Sequence, residues 1–164
     1  MWSLHYAAVG EPSGGSQDSR TLAISHQEGD KDDGLTVIDA VREVKPPFSP
    51  EGVVAEFCEL LAQYRISSVT GDRYAGEWPR EQFRKHGVTY NVSERSRSDL
   101  YREMLPMLNS GRAVLLDDQK TVNQIVGLER RVARGGRASS DHGPGQHADR
   151  ANAVDGALAT AAQP

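Results

Sequence analysis

A capped helix joined directly to a short apolar strand restricts the fold more than any other stretch of this chain. In PPFSPEG, Ser49 suits the N-cap, Pro50 the first helical position and Glu51 the positive end of the helix dipole. Apolar residues then recur every three or four positions over 53–64, which predicts one buried stripe. The strand ISSVTGD (66–72) follows at once, and strand, helix and strand in this order favour a right-handed parallel crossover.

Further segments on either side of this helix predict the rest of the sheet. Three strand-like stretches precede it, separated by a Gly/Ser turn and an acidic loop, and this is typical of an antiparallel meander: 4–9, 21–26 and 35–44. Shorter elements alternate after it, namely helices at 79–86, 98–109 (capped by Ser98), 119–130 and 147–162, and strands at 88–92 and 113–117. We therefore expect one α/β domain of 164 residues, built on a mixed sheet flanked by helices.

The composition argues against several classes of protein. No apolar run approaches the ~18 residues of a membrane helix. The first residues, MWSLHYAAVG, lack the basic and apolar regions of a signal peptide, so we expect a cytoplasmic protein that is not secreted. The single cysteine, Cys58, falls on the apolar face of a predicted helix, which favours a buried thiol over a catalytic one. The sequence has no GxxxxGK[ST] phosphate loop, so we expect no nucleotide motor in it. It also has no Cys/His spacing of the kind that binds zinc.

Charge is distributed unevenly around a net value of −4. Residues 11–33 carry six acids and two bases, whereas residues 79–137 carry twelve Lys or Arg against seven Asp or Glu. A basic surface facing a polyanion and a set of solvated helix faces explain this split equally well. Residues 130–146 are rich in Arg and Gly and are predicted to form a basic loop or hairpin, and residues 161–164 a frayed tail.

Three carboxylates stand at strand ends or helix starts, where a sheet presents groups to a crevice. Glu11 follows the first strand, Asp72 ends the fourth, and Asp149 lies in the first turn of the last helix. Together they would repel one another unless a hard divalent cation such as Mg²⁺ or Mn²⁺ neutralised them. Each also has a structural interpretation: Glu11 as a hairpin surface charge, Asp72 as a turn residue, Asp149 as an N-cap.

Three longer stretches resemble, in order, the C-terminal nuclease domain of tailed-phage terminase large subunits. They are VGEPSGGSQDSRTLAISH, VTGDRYAGEWPREQFRKHGVTYNVSERSRSDLY and DHGPGQHADRANAVDGALA. The resemblance covers about residues 4–160, and GDRYAGEWPREQF and SERSRSDLY are its most specific parts. It implies a ribonuclease H-like fold and a metal-dependent endonuclease that cuts concatemeric viral double-stranded DNA during genome packaging.

The resemblance also implies the site. Its three acids fall on Glu11, Asp72 and Asp149, which would hold two Mg²⁺ or Mn²⁺ ions, with His147 and Asn152 as accessory ligands. The chain departs from the family pattern in having Glu where the first acid is usually Asp, and in having Ala148 and Asn152 where related proteins carry further acids. We therefore expect weaker metal binding, or a site that Mn²⁺ or bound DNA completes.

Seven arginines are the expected contacts to DNA phosphates: Arg73, Arg95, Arg97, Arg130, Arg131, Arg134 and Arg137. Family members carry an ATPase motor before this domain and assemble with a small subunit and the portal. We expect no motor in this chain, as in an excised piece, a gene split from its motor or a prophage remnant. Two other functions stay open: a vestigial DNA-binding module of the same fold, and a nuclease like a Holliday-junction resolvase.

Overall fold

The computed structural model describes residues 6–11, 19–30, 33–71, 76–135 and 149–161. Six strands and five helices are described within these ranges. The strands are β1 (Tyr6–Glu11), β2 (Arg20–Glu28), β3 (Leu35–Val44), β4 (Ser68–Gly71), β5 (Thr89–Val92) and β6 (Ala113–Val114). The helices are α1 (Pro50–Gln63), α2 (Glu77–Lys85), α3 (Arg97–Asn109), α4 (Gln119–Gly135) and α5 (Asp149–Ala161).

All six strands form one sheet in the order β5-β4-β1-β2-β3-β6. The first three strands make the predicted antiparallel meander. After the α1 crossover, β4 pairs in parallel with β1, and β5 pairs in parallel with β4. At the other edge, β6 pairs in parallel with β3. The fold is thus the predicted mixed α/β sheet, and the crossover brings the end of β4 beside the end of β1.

Each face of the sheet has its own core. On one face, Ala8, Leu22 and Ile24 pack with Phe57 and Leu61 of α1, and side chains of α2, β4 and β5 complete the cluster. The opposite face packs against α3, α4 and α5, with Val9, Ala23 and Ile38 on the sheet side. Because helices cover both faces of β2, its residues 21–26 are all buried.

Several element boundaries differ from the sequence predictions. The cap of α3 is Ser96 and not Ser98: Ser96 accepts a hydrogen bond from the Asp99 N–H, and the Asp99 side chain accepts one from the Ser96 N–H. Helix α4 continues to Gly135, so a loop beginning at 130 was wrong for its first six residues, while 136–146 lie outside the described residues. No proline interrupts the chain between 119 and 135, which allows the longer helix. The tail 162–164 also lies outside the described residues.

A buried histidine lies at the far end of the meander. His26 pairs with Tyr6 at the start of β1 and is only 6% exposed. Its Nδ1 lies 2.7 Å from Asp39 Oδ2 and its Nε2 3.0 Å from Glu28 Oε1, so both ring nitrogens face a carboxylate. Burial alone would lower the pKa of His26, but the hydrogen bonds to Asp39 and Glu28 outweigh it and raise that pKa.

Candidate metal centre

The ends of β1 and β4 lie side by side at one edge of the sheet. Gly10 pairs with Gly71 in parallel register, and Glu11 is the last residue of β1. Successive strand residues alternate between faces, so position 11 falls on the face of Val9, which packs toward α5. Asp72 follows Gly71 in the sequence but lies outside the described residues. Its place beside Glu11 therefore stays a prediction.

The close approach of Gly71 to an aromatic ring explains the glycine before Asp72. A Cβ on Gly71 would lie 2.5 Å from Cζ and 2.7 Å from Cε2 of Tyr90, and it would also overlap the Tyr90 hydroxyl. Tyr90 is 3% exposed and stacks on Phe83 of α2, so the ring has little room to move. The sequence TGD thus has glycine where the Tyr90 ring lies against the strand end.

Helix α5 runs antiparallel to β1, with its first residues toward the end of that strand. Gly156 lies so close to Val9 that a Cβ on it would be 2.8 Å from Val9 Cγ1. One residue later, the carbonyl of Ala157 accepts a 2.7 Å hydrogen bond from Ser25, whose partner in β1 lies two residues before Val9. The helix therefore moves toward the start of β1 as it proceeds, and its N-terminal half extends toward the end of β1.

Helical and strand geometry place the start of α5 against the end of β1. Positions 149, 152 and 156 follow the three-and-four spacing of one stripe, and Gly156 places that stripe against the sheet. Asn152 lies about 6 Å along the helix from Gly156, and Glu11 lies about 7 Å along the strand from Val9. Because Gly156 contacts Val9, Asn152 and Glu11 lie at the same height along β1. Asp149 begins α5 about one turn beyond. These are backbone placements, because the side chains of Glu11 and Asp149 lie outside what is described.

Two buried polar atoms at this level have no hydrogen-bond partner among the described residues. Thr21, the direct partner of Glu11 in β2, is fully buried and its Oγ1 is unpaired. Asn152 is 4% exposed and its Nδ2 is unpaired. Such groups cost free energy unless something binds them, and exchanging the amide oxygen and nitrogen of Asn152 would present an acceptor instead. Sequence reasoning selected Asn152 and missed Thr21.

Glu43 is a further carboxylate in the same row of the sheet, and sequence reasoning missed it. Thr21 pairs with Glu11 on one side and with Glu43 on the other. The Glu43 side chain is 5% exposed, and it accepts hydrogen bonds from Arg150 Nε and from Lys120 Nζ, the latter at 3.0 Å to both oxygens. Its signal in the sequence is weak: it lies two residues after Val41 and so alternates to the same inward face.

This network fixes the first turn of α5. Arg150 also donates to Asp118, which precedes α4, and the Ala151 N–H donates to Gln124 Oε1 at 3.1 Å. Burial would raise the pKa of Glu43, but hydrogen bonds from Arg150, Lys120 and Ser19 lower it. The pKa of Asp118 is lowered by its hydrogen bond from Thr121 and by Arg150. The helix that begins at Asp149 is thus anchored to β3 and α4 by two ionised carboxylates.

A second set of contacts, on the other face of the sheet, involves the start of α2. The Arg20 guanidinium lies 5.1 Å from the Phe48 ring centroid and 5.2 Å from that of Trp78, the second residue of α2. Burial lowers the pKa of Arg20, and Glu51 partly opposes this. β4 ends at Gly71 and α2 begins at Glu77, and both elements contribute buried residues to the packed structure.

The residues present fit a hard divalent cation. Among the side chains that are described, no three His, Cys, Asp or Glu groups lie close enough to share an ion, but the three candidate acids are not among them. Two unpaired buried polar atoms, Thr21 Oγ1 and Asn152 Nδ2, lie at the height of Glu11 along β1. Carboxylate and amide oxygens are the ligands that Mg²⁺ and Mn²⁺ prefer. His147 lies outside the described residues, so its accessory role is untested.

The predicted phosphate contacts are only partly described. The Arg95 side chain forms an ion pair with Glu103 and is 22% exposed. Arg97 begins α3, and Arg130, Arg131 and Arg134 belong to the second half of α4, but their side chains are not described. Arg73 and Arg137 lie outside the described residues. The DNA-binding role of these seven arginines stays a prediction.

Comparison with known proteins shows similarity in structure alone. No protein-family model matches the sequence, and no curated protein matches it. The large terminase nuclease of the thermophilic phage G20c superposes with a TM-score of 0.69 and 17% identity, over 94% of this chain and 81% of that one. The large terminase of another thermophilic bacteriophage gives 0.67 and 11%, covering 94% of this chain. The chain spans only 40% of that second protein.

Thermus thermophilus RuvC is similar as well. It has a TM-score of 0.52 and 16% identity over 96% of this chain and 94% of that one. Identities this low establish a common fold and nothing finer. The ribonuclease H-like fold and the resemblance to terminase nucleases, both predicted from the sequence, are therefore confirmed at the level of the fold. Within the described part of the chain, no helix is long and apolar enough to span a membrane.

Proposed function

We propose that this chain is a metal-dependent DNA endonuclease that works as the nuclease part of a phage packaging terminase. The observation that carries the proposal is the parallel register of Gly10 with Gly71. The chain leaves these paired glycines at Glu11 and Asp72, and α5 begins at Asp149 on the stripe that faces β1. The similarity to the G20c terminase nuclease supports the same function.

Glu11, Asp72 and Asp149 would hold two Mg²⁺ or Mn²⁺ ions, with Asn152 contributing its amide oxygen. When bound, such ions activate water and stabilise the leaving oxygen of a phosphodiester. The chain's own contribution would be placement: the β1–β4 register supports neighbouring positions for Glu11 and Asp72, and the Glu43–Arg150–Asp118 contacts hold the start of the helix that carries Asp149. Double-stranded DNA is the proposed substrate, and a terminase motor, small subunit and portal are the proposed partners.

A plasmid-cleavage assay with Mg²⁺ and with Mn²⁺ tests the activity. Wild-type protein should cut, and Asp72→Asn or Glu11→Gln should abolish cutting without changing the circular dichroism spectrum. Asp33→Asn is the matched control, because Asp33 is exposed in the β2–β3 turn at the opposite end of the meander. Salt-dependent DNA binding with no cutting in either metal would favour the vestigial DNA-binding module instead.

Metal affinity gives a readout that is independent of cleavage. Glu11 is longer than the usual aspartate and Ala148 brings no charge. We therefore expect weak Mg²⁺ binding by the free protein in calorimetry, and a site that is completed when Mn²⁺ replaces Mg²⁺ or when DNA is bound. Tight Mg²⁺ binding by the free protein would contradict this expectation. Faster cutting of a four-way junction than of linear duplex would indicate the resolvase-like alternative.

A further inference from the structure

The sheet surface over β4 and β5, on the side of α5, is polar and open. Strand residues alternate here: Val69 and Tyr90 face the α1 core, while Ser68, Thr70, Thr89 and Asn91 face the other way. Ser68, Thr89 and Asn91 are exposed, and Thr70 is half-buried. We name these four residues the polar shelf. A helix-covered face would carry apolar residues at such positions, so the shelf is built to meet a polar environment.

The shelf residues form two adjacent pairs. Ser68 pairs with Thr89 and Thr70 with Asn91 in the parallel β4–β5 ladder, which brings four hydroxyl or amide groups onto one surface. In the described part of the chain, none of these side chains hydrogen-bonds to another residue. Their donors and acceptors therefore point to solvent or to a ligand.

Two grooves border the shelf. One lies between the shelf and the end of α5, where Thr160 adds another hydroxyl. The other follows the outer edge of β5 and is lined by Arg80 and Arg84 of α2. Among the described residues that line these grooves there is no Asp or Glu. The surface is therefore neutral over the shelf and positive along its rim.

One of the two rim arginines is paired with a carboxylate of its own helix, and, among the described residues, the other is not. Arg80 is 48% exposed and forms an ion pair at 3.2 Å with Glu77, one turn away on the same helix. Arg84 is exposed and has no ion pair in the described part of the chain. The two are one helical turn apart, about 6 Å between Cβ atoms, so both can reach one run of anionic groups.

We propose that the sugar–phosphate backbone of DNA lies across the polar shelf, with Arg80 and Arg84 gripping its phosphates. This inference rests on the proposed nuclease function. Thr70 lies two residues before Asp72, and parallel β-strands end at the same edge of a sheet. A DNA strand that crosses the shelf toward this edge would therefore reach the candidate carboxylates. Ser, Thr and Asn side chains and arginines are the groups that contact phosphate oxygens.

Charge substitutions at an exposed shelf position test the proposal. Fluorescence anisotropy with a labelled linear duplex, in EDTA to prevent cutting, gives the affinity over a range of salt concentrations. Asn91→Asp should weaken binding and Asn91→Lys should strengthen it, raising the salt slope by about 0.9. Asn109→Asp and Asn109→Lys are matched controls at the exposed end of α3 and should bind as the wild type does. The double variant Arg80→Gln, Arg84→Gln should lower the slope by about 1.8.

The outcomes separate this inference from the proposed function. If the wild type binds and cuts DNA while the Asn91 variants behave like the Asn109 variants, the shelf proposal fails and the nuclease proposal stands. An unchanged salt slope in the double arginine variant overturns the shelf proposal too. Wild-type protein that neither binds nor cuts DNA overturns both. The shelf proposal is supported only if Asn91→Asp weakens DNA binding and Asn91→Lys strengthens it, because loss of folding would weaken binding in both variants.

Discussion

Replacing Glu43 with glutamine should destabilise the protein and disturb the start of α5. The side chain is 5% exposed and neutralises Arg150 and Lys120, which are 20% and 40% exposed. Removing one partner from a fully buried ion pair costs about 3–5 kcal/mol. Because both cations are partly in water, and Arg150 keeps Asp118, we expect about 2 kcal/mol. In a chain of this length that corresponds to a fall in Tm of roughly 4–8 °C.

Urea unfolding followed by circular dichroism measures this loss, with Glu56→Gln as the matched control. Glu56 forms an ion pair with Arg42, but both side chains are more than 40% exposed, so its replacement should change the free energy of unfolding by no more than about 0.5 kcal/mol. Equal effects of Glu43→Gln and Glu56→Gln would refute the reasoning. In the cleavage assay, Glu43→Gln should lower the rate more than it lowers DNA affinity, since α5 carries a proposed ligand.

The pH dependence of this loss has a definite sign. The pKa of Glu43 is lower in the folded protein than in the unfolded chain. Its contribution to stability is therefore present above the unfolded pKa of about 4.3 and disappears as the pH falls through the lower folded value. The difference between wild type and Glu43→Gln should be full at neutral pH and shrink below about pH 4. A difference that grows in acid would contradict the assignment.

Three further substitutions test packing and charge elsewhere. Gly71→Ala forces a Cβ against the buried Tyr90 ring and should cost about 1–3 kcal/mol in urea unfolding, and adding Tyr90→Leu should recover part of it. Gly127→Ala in α4, where a Cβ would meet no atom within 4 Å, should instead stabilise by up to about 1 kcal/mol; a loss there would show that the glycine is required. The pKa of His26 is raised on folding, so the stability contributed by its charged form is present below about pH 6.5 and is lost as the pH rises through the folded pKa. His26→Gln should therefore lower the free energy of unfolding more at about pH 6 than at about pH 9. The reverse order would be incompatible with a charged imidazole.

Local signals in the sequence predicted most of the fold. The α1 start was predicted from Ser49 and Pro50, and Ser49 accepts a hydrogen bond from the Gly52 N–H as an N-cap does. Where several candidates were adjacent the choice was harder: SERSRSD contains three serines, and only the reciprocal pairing of Ser96 with Asp99 decides the cap of α3. Such errors move a boundary by one or two residues and leave the topology intact.

The candidate site was less predictable because its contacts cross the whole chain. Glu43 and Arg150 are 107 positions apart, and no local pattern pairs a strand glutamate with an arginine in the last helix. Thr21 lies in an apolar strand, where threonine is a common residue and gives no signal of a site. Only the strand register places it beside Glu11. The position of Glu11 at a strand end and of Asp149 at a helix start could be predicted because strand ends and helix starts can be recognised from short stretches of sequence.

The contact between Gly71 and Tyr90 makes the tyrosine a natural reporter of the neighbouring strand end. Its ring lies against the residue that precedes Asp72, yet it belongs to a different strand and is not a proposed ligand. A fluorine atom on this ring would report, through its NMR frequency, small displacements of the β4 end when metal or DNA is added. The packing that requires glycine at position 71 thus provides a way to observe the proposed site without altering any of its acids.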